Sequence, residues 1–278
     1  MIKPYVGLTG INTRIEAQIA AEEFIKSGFS NESSHIPMFG ILMSYRTLND
    51  ISPKELKTPN IRYPNWRPIK SRMKELAKHG LPMIHYATKE KDTLPEQVKK
   101  IFKELFHDGN LYNENICRAI QLNIVWPKPI HLEEIVKALP ELSITFQLSS
   151  KAQADYSPQE IAEKISPYKD FISYVLIDPS GGKGKEFDTD KSFNIYNAIK
   201  EKFPSLVLGF AGGLTGDNIK EKCSSLISKI GKNFCIDAEG GLRVQESYLD
   251  EQYTDDLDLE KMRKYISASG EIFLNKKG

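Results

Sequence analysis

The run Leu206-Val207-Leu208-Gly209-Phe210 leads into Ala211-Gly212-Gly213-Leu214-Thr215-Gly216-Asp217-Asn218, and a helical stretch then continues to Ile230. A short apolar run, a glycine turn and an amphipathic stretch together spell one β-then-α unit. The same order is found on both sides of it. Upstream, residues 171–177 precede a helix at 191–202, and downstream, residues 234–236 precede a helix near 259–266. Five further units fill the N-terminal part. They pair 5–8 with 14–26, 38–43 with 68–78, 81–86 with 95–106, 119–125 with 132–139, and 143–148 with 158–165. Within 14–26, Ile15, Ile19, Ala20 and Phe24 fall close to a helical stripe. Ser157-Pro158 is an N-cap followed by proline at the first helical position.

Strands separated by helices imply parallel neighbours joined by right-handed crossovers. Eight such units, with no Pro/Gly/Ser-rich linker between them, favour closure over an open doubly wound sheet. The expected fold is a single α/β domain over residues 1–278, a (β/α)8 TIM barrel of the phosphate-binding type. Its one extended loop lies near 49–67 and contains Trp66, and either a lid or an oligomer contact would account for it.

A chain of 278 residues suits one such barrel, which commonly takes about 250 residues. With 38 basic and 37 acidic residues the net charge is +1, and the lysines are scattered. No global field or basic-aromatic face therefore points to nucleic acid. The N-terminus lacks the apolar stretch and small-residue cleavage site of a signal peptide, and no segment is long enough to span a bilayer. Cys117, Cys223 and Cys235 are odd in number and lack metal-type spacing, while His35, His79, His85, His107 and His131 are scattered. The expectation is a reduced, cytoplasmic protein with no metal, no cofactor, no membrane partner and no nucleic-acid partner. Its oligomeric state is left open.

In barrels of this kind the site forms from loops at the C-terminal ends of the strands. Three consecutive loops there are rich in glycine. They are Asp178-Pro179-Ser180-Gly181-Gly182-Lys183-Gly184-Lys185-Glu186-Phe187-Asp188, then Ala211 to Asn218, then Asp237-Ala238-Glu239-Gly240-Gly241-Leu242-Arg243. Glycine lets backbone N–H groups turn toward an oxyanion without a Cβ in the way. Gly182, Gly184, Gly212, Gly213, Gly240 and Gly241 are accordingly the candidate phosphate contacts, and a phosphorylated small molecule is the candidate ligand. A nucleotide P-loop is excluded, because Gly184-Lys185 is followed by Glu186 rather than Ser or Thr.

The loop Gly181-Gly182-Lys183-Gly184-Lys185-Glu186-Phe187-Asp188 resembles the strand-six loop of the phosphoribosylanthranilate isomerase family, which serves tryptophan biosynthesis. Ala211-Gly212-Gly213-Leu214-Thr215 with Asn218 resembles that family's strand-seven signature. Weaker matches follow in order at Leu8-Thr9-Gly10-Ile11-Asn12, at 39–46 ending Ser44-Tyr45-Arg46, and at Gln121-Leu122-Asn123. The resemblance implies an Amadori-type aldose–ketose isomerisation with Asp178 as general acid. It also places Arg46 at the aryl carboxylate end of the substrate.

This chain departs from the family at three places. Thr9 occupies the position of the family's Cys base, Asn123 that of its His, and Glu239 with Gly240 that of its paired serines. An aliphatic hydroxyl is a poor proton acceptor where a thiol can be tuned. Glu239, just after strand eight, and His85, near the end of strand three, are the other candidates for base or substrate contact. Two readings stay open: a sugar-phosphate isomerase with a substitute base, or a sugar-phosphate-binding barrel that has lost the chemistry at Thr9.

Overall fold

The computed structural model describes residues 2–51, 63–179, 189–244, 246–247, 253–254 and 256–274. Eight parallel strands close into a barrel in sequence order: β1 (Tyr5–Thr9), β2 (Ile36–Ser44), β3 (Leu81–Ala87), β4 (Ala119–Leu122), β5 (Ser143–Ser149), β6 (Tyr174–Asp178), β7 (Val207–Ala211) and β8 (Cys235–Ala238). Closure is made by β1, which pairs Val6 with Pro37 of β2 on one side and with Ile236 of β8 on the other. The principal helices are α1 (Arg14–Lys26), α2 (Tyr45–Leu48), α3 (Ile69–Leu76), α4 (Leu94–Lys99), α5 (Pro129–Ala138), α6 (Ser150–Gln153), α7 (Pro158–Ile165), α8 (Thr189–Lys202), α9 (Ile219–Ile230) and α10 (Leu259–Phe273). A two-stranded antiparallel ribbon, β9 (Glu246–Ser247) with β10 (Tyr253–Thr254), is appended after β8. None of the described helices is long and apolar enough to cross a membrane.

The strands alternate between two cores. Outward residues such as Val6, Phe39, Ile84, Phe146, Val175 and Phe210 pack under the helices. Inward residues at the lower end of the barrel, Tyr5, Met38, Met83, Ala119, Tyr174, Val207 and Cys235, form a separate apolar plug. Both faces being covered explains why the strands read as nearly continuous apolar runs. Local signals place the helices around them. Thr13 and Glu16 form a reciprocal capping box at the start of α1, and Ser157 and Glu160 do the same for α7. Such caps are each worth about 1 kcal/mol.

Several boundaries differ from the sequence expectation for physical reasons. The strand expected over 119–125 ends at Leu122, because the chain turns at Trp126, whose φ is +43°, and enters α5 through Pro129. The helix expected over 95–106 is α4 followed by a π-helical turn at Lys100–Glu104. The last helix runs on to Phe273 because small buried residues let it lie against the end of α1. A methyl added at Gly270 would sit 2.7 Å from the Ser27 carbonyl oxygen. The strand expected over 171–177 is shifted to Tyr174–Asp178, and that expected over 234–236 becomes Cys235–Ala238. Both shifts bring a carboxyl residue inside a strand. In the loop near 49–67, Asp50 joins the two described ends by accepting hydrogen bonds from the Trp66 indole at 2.9 Å and from both terminal nitrogens of Arg67 at 3.2 Å.

Candidate functional site

Stepping two residues up each strand from the apolar plug gives the interior of the barrel mouth, because side chains recur on one face with period two. Tyr5 is followed inward by Gly7 and Thr9, Met38 by Gly40, Met83 by His85, and Ala119 by Gln121. Tyr174 is followed by Leu176 and Asp178, and Cys235 by Asp237. The interior thus changes from apolar below to polar above. Thr9, His85, Gln121, Gln147, Asp178 and Asp237 are all buried there.

Two hydrogen-bonded groups make up this layer. In the first, the Thr9 hydroxyl lies 2.9 and 3.0 Å from the two carboxyl oxygens of Asp237, with the His85 ring nitrogens in longer contact at 3.4 and 3.5 Å. The space they occupy exists because β1 and β2 present glycine at this level. A methyl at Gly7 would lie 2.6 Å from Asp237 Oδ1, and one at Gly40 would lie 2.9 Å from His85 Nε2 and collide with Thr9 Oγ1. In the second group, Gln147 Nε2 donates to Asp178 Oδ2 at 2.6 Å, and Gln121 Nε2 donates to Gln147 Oε1 at 3.1 Å. Asp178 Oδ2 accepts from Gln147 whether or not the other oxygen carries a proton, so it orients both amides in turn. Gln121 Oε1, at the far end of this chain, is buried and has no hydrogen-bond partner among the described residues. It is an acceptor suited to a ligand hydroxyl.

One cleft brings the carboxyl groups and the glycine loops together. It is lined by Asp178, Asp237 and Glu239 with Gln121 and Gln147, and closed by Leu176, Ala211, Gly212, Gly213 and Gly240. Burial pushes the Asp237 carboxyl well above its ordinary range. The charges of Glu239 and Asp178 add to this, against an opposing hydrogen bond from Thr9. Burial also pushes His85 down to about 3, so its imidazole is neutral at physiological pH. The mouth therefore holds a carboxyl group biased toward its proton-donating form beside a second carboxyl group.

The loop after β7 is built for close approach of its backbone. Gly212 and Gly213 have φ of +113° and +62°, values that favour glycine. Asn218 clasps the loop by accepting from the Thr215 N–H at 2.9 Å and donating to the Gly213 carbonyl at 2.8 Å. The loop after β8 packs directly on it: a methyl at Gly241 would lie 2.7 Å from the Leu214 carbonyl oxygen. Gly241 thus serves loop packing, while Gly212, Gly213 and Gly240 face the cleft. Beneath these loops Arg243 is fully buried, donating from Nη2 to the Gly10 carbonyl at 2.9 Å and the Thr9 carbonyl at 3.3 Å. It fastens the end of β1 to the β8 loop.

The residues singled out from the sequence are thus only partly brought together. Thr9, His85, Asp178 and Glu239 converge on the mouth, Glu239 at its half-exposed rim. Asn123 is exposed one residue past β4, and Arg46 is exposed on α2, so neither lines the cleft. Gly182 and Gly184 lie outside the described residues. Asp237, Gln121 and Gln147 are the site residues that sequence reasoning passed over; the two-residue step from the apolar plug points to Asp237 and Gln121, whereas Gln147 stands on β5, which adds no residue to the plug. Among the described residues, no group of three or more His, Cys, Asp or Glu is placed to hold a metal ion.

No protein-family model matches the chain, and no curated protein matches it in sequence. Solved structures do match it in shape. Phosphoribosyl anthranilate isomerase from Thermus thermophilus aligns over 96% of this chain and 98% of its own, at 13% identity and a TM-score of 0.58. Tryptophan synthase subunit alpha from Legionella pneumophila str. Paris aligns over 98% of this chain and 92% of its own, at 12% identity and a TM-score of 0.54. The catalytic domain of a hyperthermophilic chitinase from Pyrococcus furiosus aligns over 99% and 97%, at 11% identity and a TM-score of 0.56. Likenesses at such identities establish the (β/α)8 barrel, a fold that hosts unrelated chemistries.

Proposed function

We propose that this protein is a sugar-phosphate isomerase of the Amadori type, acting on a phosphorylated aminoaldose, with Asp178 as general acid. The observation that carries this reading is the single cleft in which Asp178, Asp237 and Glu239 meet the glycine loops after β7 and β8. The phosphate sits against the backbone of Gly212, Gly213 and Gly240, where amides can approach an oxyanion without an intervening Cβ. The sugar then lies over the polar layer, with a hydroxyl donating to Gln121 Oε1.

The reaction needs one proton delivered and one removed. Asp178, oriented by Gln147 at 2.6 Å, protonates the ring oxygen as the C1–O bond opens to the iminium form. Glu239 takes the C2 proton, giving an enolamine that tautomerises to the aminoketose. Asp237 is the wrong carboxyl for that second task. Its environment favours the protonated acid, which donates hydrogen bonds to substrate oxygen instead. Thr9 orients Asp237 and is no base itself.

A second reading rests on that same Thr9–Asp237 contact. With a hydroxyl where the resembling family has its thiol base, and that hydroxyl already held by a carboxyl group, the barrel would bind a sugar phosphate without turning it over. One assay separates the two. Freshly generated phosphoribosylanthranilate is mixed with the protein and the loss of its fluorescence followed, with Asp178→Asn and Glu239→Gln alongside. Isomerase action predicts turnover that falls about 10²–10⁴-fold in each variant. Micromolar binding without turnover in any of the three, together with turnover gained in Thr9→Cys, would establish the binder.

A further inference from the structure

The amide chain between Asp178 and Gln121 has a direction, and that direction sets what the cleft can read. Asp178, Gln147 and Gln121 stand on the adjacent strands β6, β5 and β4, and each is more than nine-tenths buried. Asp178 Oδ2 accepts from Gln147 Nε2 at 2.6 Å, which turns Gln147 Oε1 toward Gln121. Gln147 Oε1 accepts in turn from Gln121 Nε2 at 3.1 Å, so Gln121 Oε1 is the last atom of the chain. That atom is buried, has no hydrogen-bond partner among the described residues, and belongs to a residue that lines the cleft.

Turning either amide alone sets like groups against each other, so the two turn together or not at all. They turn only when Oδ2 itself carries a proton and donates to Gln147. Gln121 then shows the cleft its N–H groups in place of Oε1. In the arrangement observed, the cleft ends in a buried acceptor. A ligand with an O–H or N–H at that point is accepted. One with a carbonyl there is rejected, because two facing oxygens repel and each forgoes a hydrogen bond.

We infer that Gln121 is a specificity-determining residue, which accepts from the C2 hydroxyl of an aldose phosphate and rejects the corresponding ketose, and that Gln147 is the positioning residue that holds it so. The choice of C2 rests on the sugar-phosphate isomerase reading; selection of a donor over a carbonyl does not require turnover. In that reaction the C2 proton leaves to Glu239, and the last tautomerisation moves the hydroxyl hydrogen to C1, leaving C2=O. The hydroxyl persists in the aldose, the iminium and the enolamine, so Gln121 keeps its donor until product forms. The ketone then meets Gln121 Oε1 acceptor to acceptor, which favours release. The same contact keeps a proton on Asp178 at Oδ1, because moving it to Oδ2 turns both amides and breaks the bond to the hydroxyl.

The test is calorimetric titration with ribose 5-phosphate, 2-deoxyribose 5-phosphate and ribulose 5-phosphate, which carry a hydroxyl, hydrogen alone and a carbonyl at C2. The parent protein should bind the first about 10–100-fold more tightly than either of the others. Gln121→Met keeps the length of the side chain and removes its acceptor, and the three affinities should then agree within about twofold. Gln147→Met leaves Gln121 in place but lets its amide turn, and should raise the affinity for the ketose relative to the aldose. A purely structural loss would weaken all three ligands alike and leave their ratios unchanged. Equal affinity for ribose and 2-deoxyribose 5-phosphate in the parent, ratios that survive both replacements, or no saturable binding of any of the three would overturn the inference. Glu239→Gln must keep the ratios. Ratios kept without turnover of phosphoribosylanthranilate sink the isomerase reading alone, and turnover with equal affinities sinks this inference alone.

Discussion

Replacing Asp237 with Asn asks directly whether the buried carboxyl group of the barrel mouth carries a proton at neutral pH. The change keeps the shape and an acceptor for the Thr9 hydroxyl, now 2.9 Å from Asp237 Oδ1, and removes only the titration. An Asp in the unfolded chain releases its proton near pH ~3.9. In the folded protein, burial and the charges of Glu239 and Asp178 delay that release. Between the two values the folded state binds one proton more than the unfolded state. Raising the pH across that interval therefore favours unfolding, by about 1.4 kcal/mol per pH unit. The variant lacks this slope. Its stability relative to the parent should be nearly constant below pH ~4, rise by about 1.4 kcal/mol per unit above it, and level off at the folded pKa of Asp237. Two pH units would give about 2.7 kcal/mol, or roughly 5–10 °C in Tm for a chain of this size. Urea unfolding at intervals from pH 4 to 8, on both proteins, supplies the difference, in which titrating groups remote from Asp237 cancel. A difference independent of pH, or one that falls as pH rises, would refute the argument that Asp237 is a proton donor.

Three further outcomes follow from the same layer. Gly40→Ala forces a methyl between Thr9 and His85 and should cost about 1–3 kcal/mol, read as a lowered urea midpoint with unchanged m. His85, pushed down to about 3 by burial, should show a ring proton shift in NMR that stays flat from pH 8 to near pH 4, whereas titration near 6.5 would show it to be solvated. Its neutral burial also means stability is lost as pH falls below about 6.5, the opposite sense to Asp237. Arg243→Met withdraws a buried cation from the Thr9 and Gly10 carbonyls and should destabilise by about 1.5–3 kcal/mol, with faster amide exchange at the end of β1.

The barrel was legible because its periodicity was local. Each apolar run of three to seven residues followed by a helical stripe announces itself without reference to the rest of the chain, and the eight together leave one way to close. The same locality explains the errors. Asp178 and Asp237 read as loop residues because a carboxyl group ends an apolar run, yet both continue their strands. A barrel interior tolerates charge at its upper end, where side chains from other strands can pair with it. Thr9 and Asp178 follow from a family resemblance and His85 from its place near the end of strand three, whereas Gln147 has no local signature at all. Its task of orienting Asp178 exists only once β5 lies beside β6 with Ser149 opposite Asp178. Arg46 and Asn123 illustrate the reverse case: matching motif positions, they stand exposed at the rim because α2 and the turn after β4 carry them outward.

The two inward glycines of β1 and β2 have a consequence for how this sequence can change. Gly7 is glycine because Asp237 fills the volume its side chain would need, and Gly40 because Thr9 and His85 do. Neither member of such a pair can be enlarged alone, and shrinking Asp237 or His85 alone opens a buried void. Substitution at these positions is therefore epistatic: a bulkier residue at 7 becomes tolerable only where the carboxyl group at 237 is gone and the Met38 methyl, which a Cβ there would meet at 2.6 Å, has swung aside. A lineage that filled Gly7 would have given up that carboxyl group beforehand, so the two positions together record whether the chemistry of the mouth was kept.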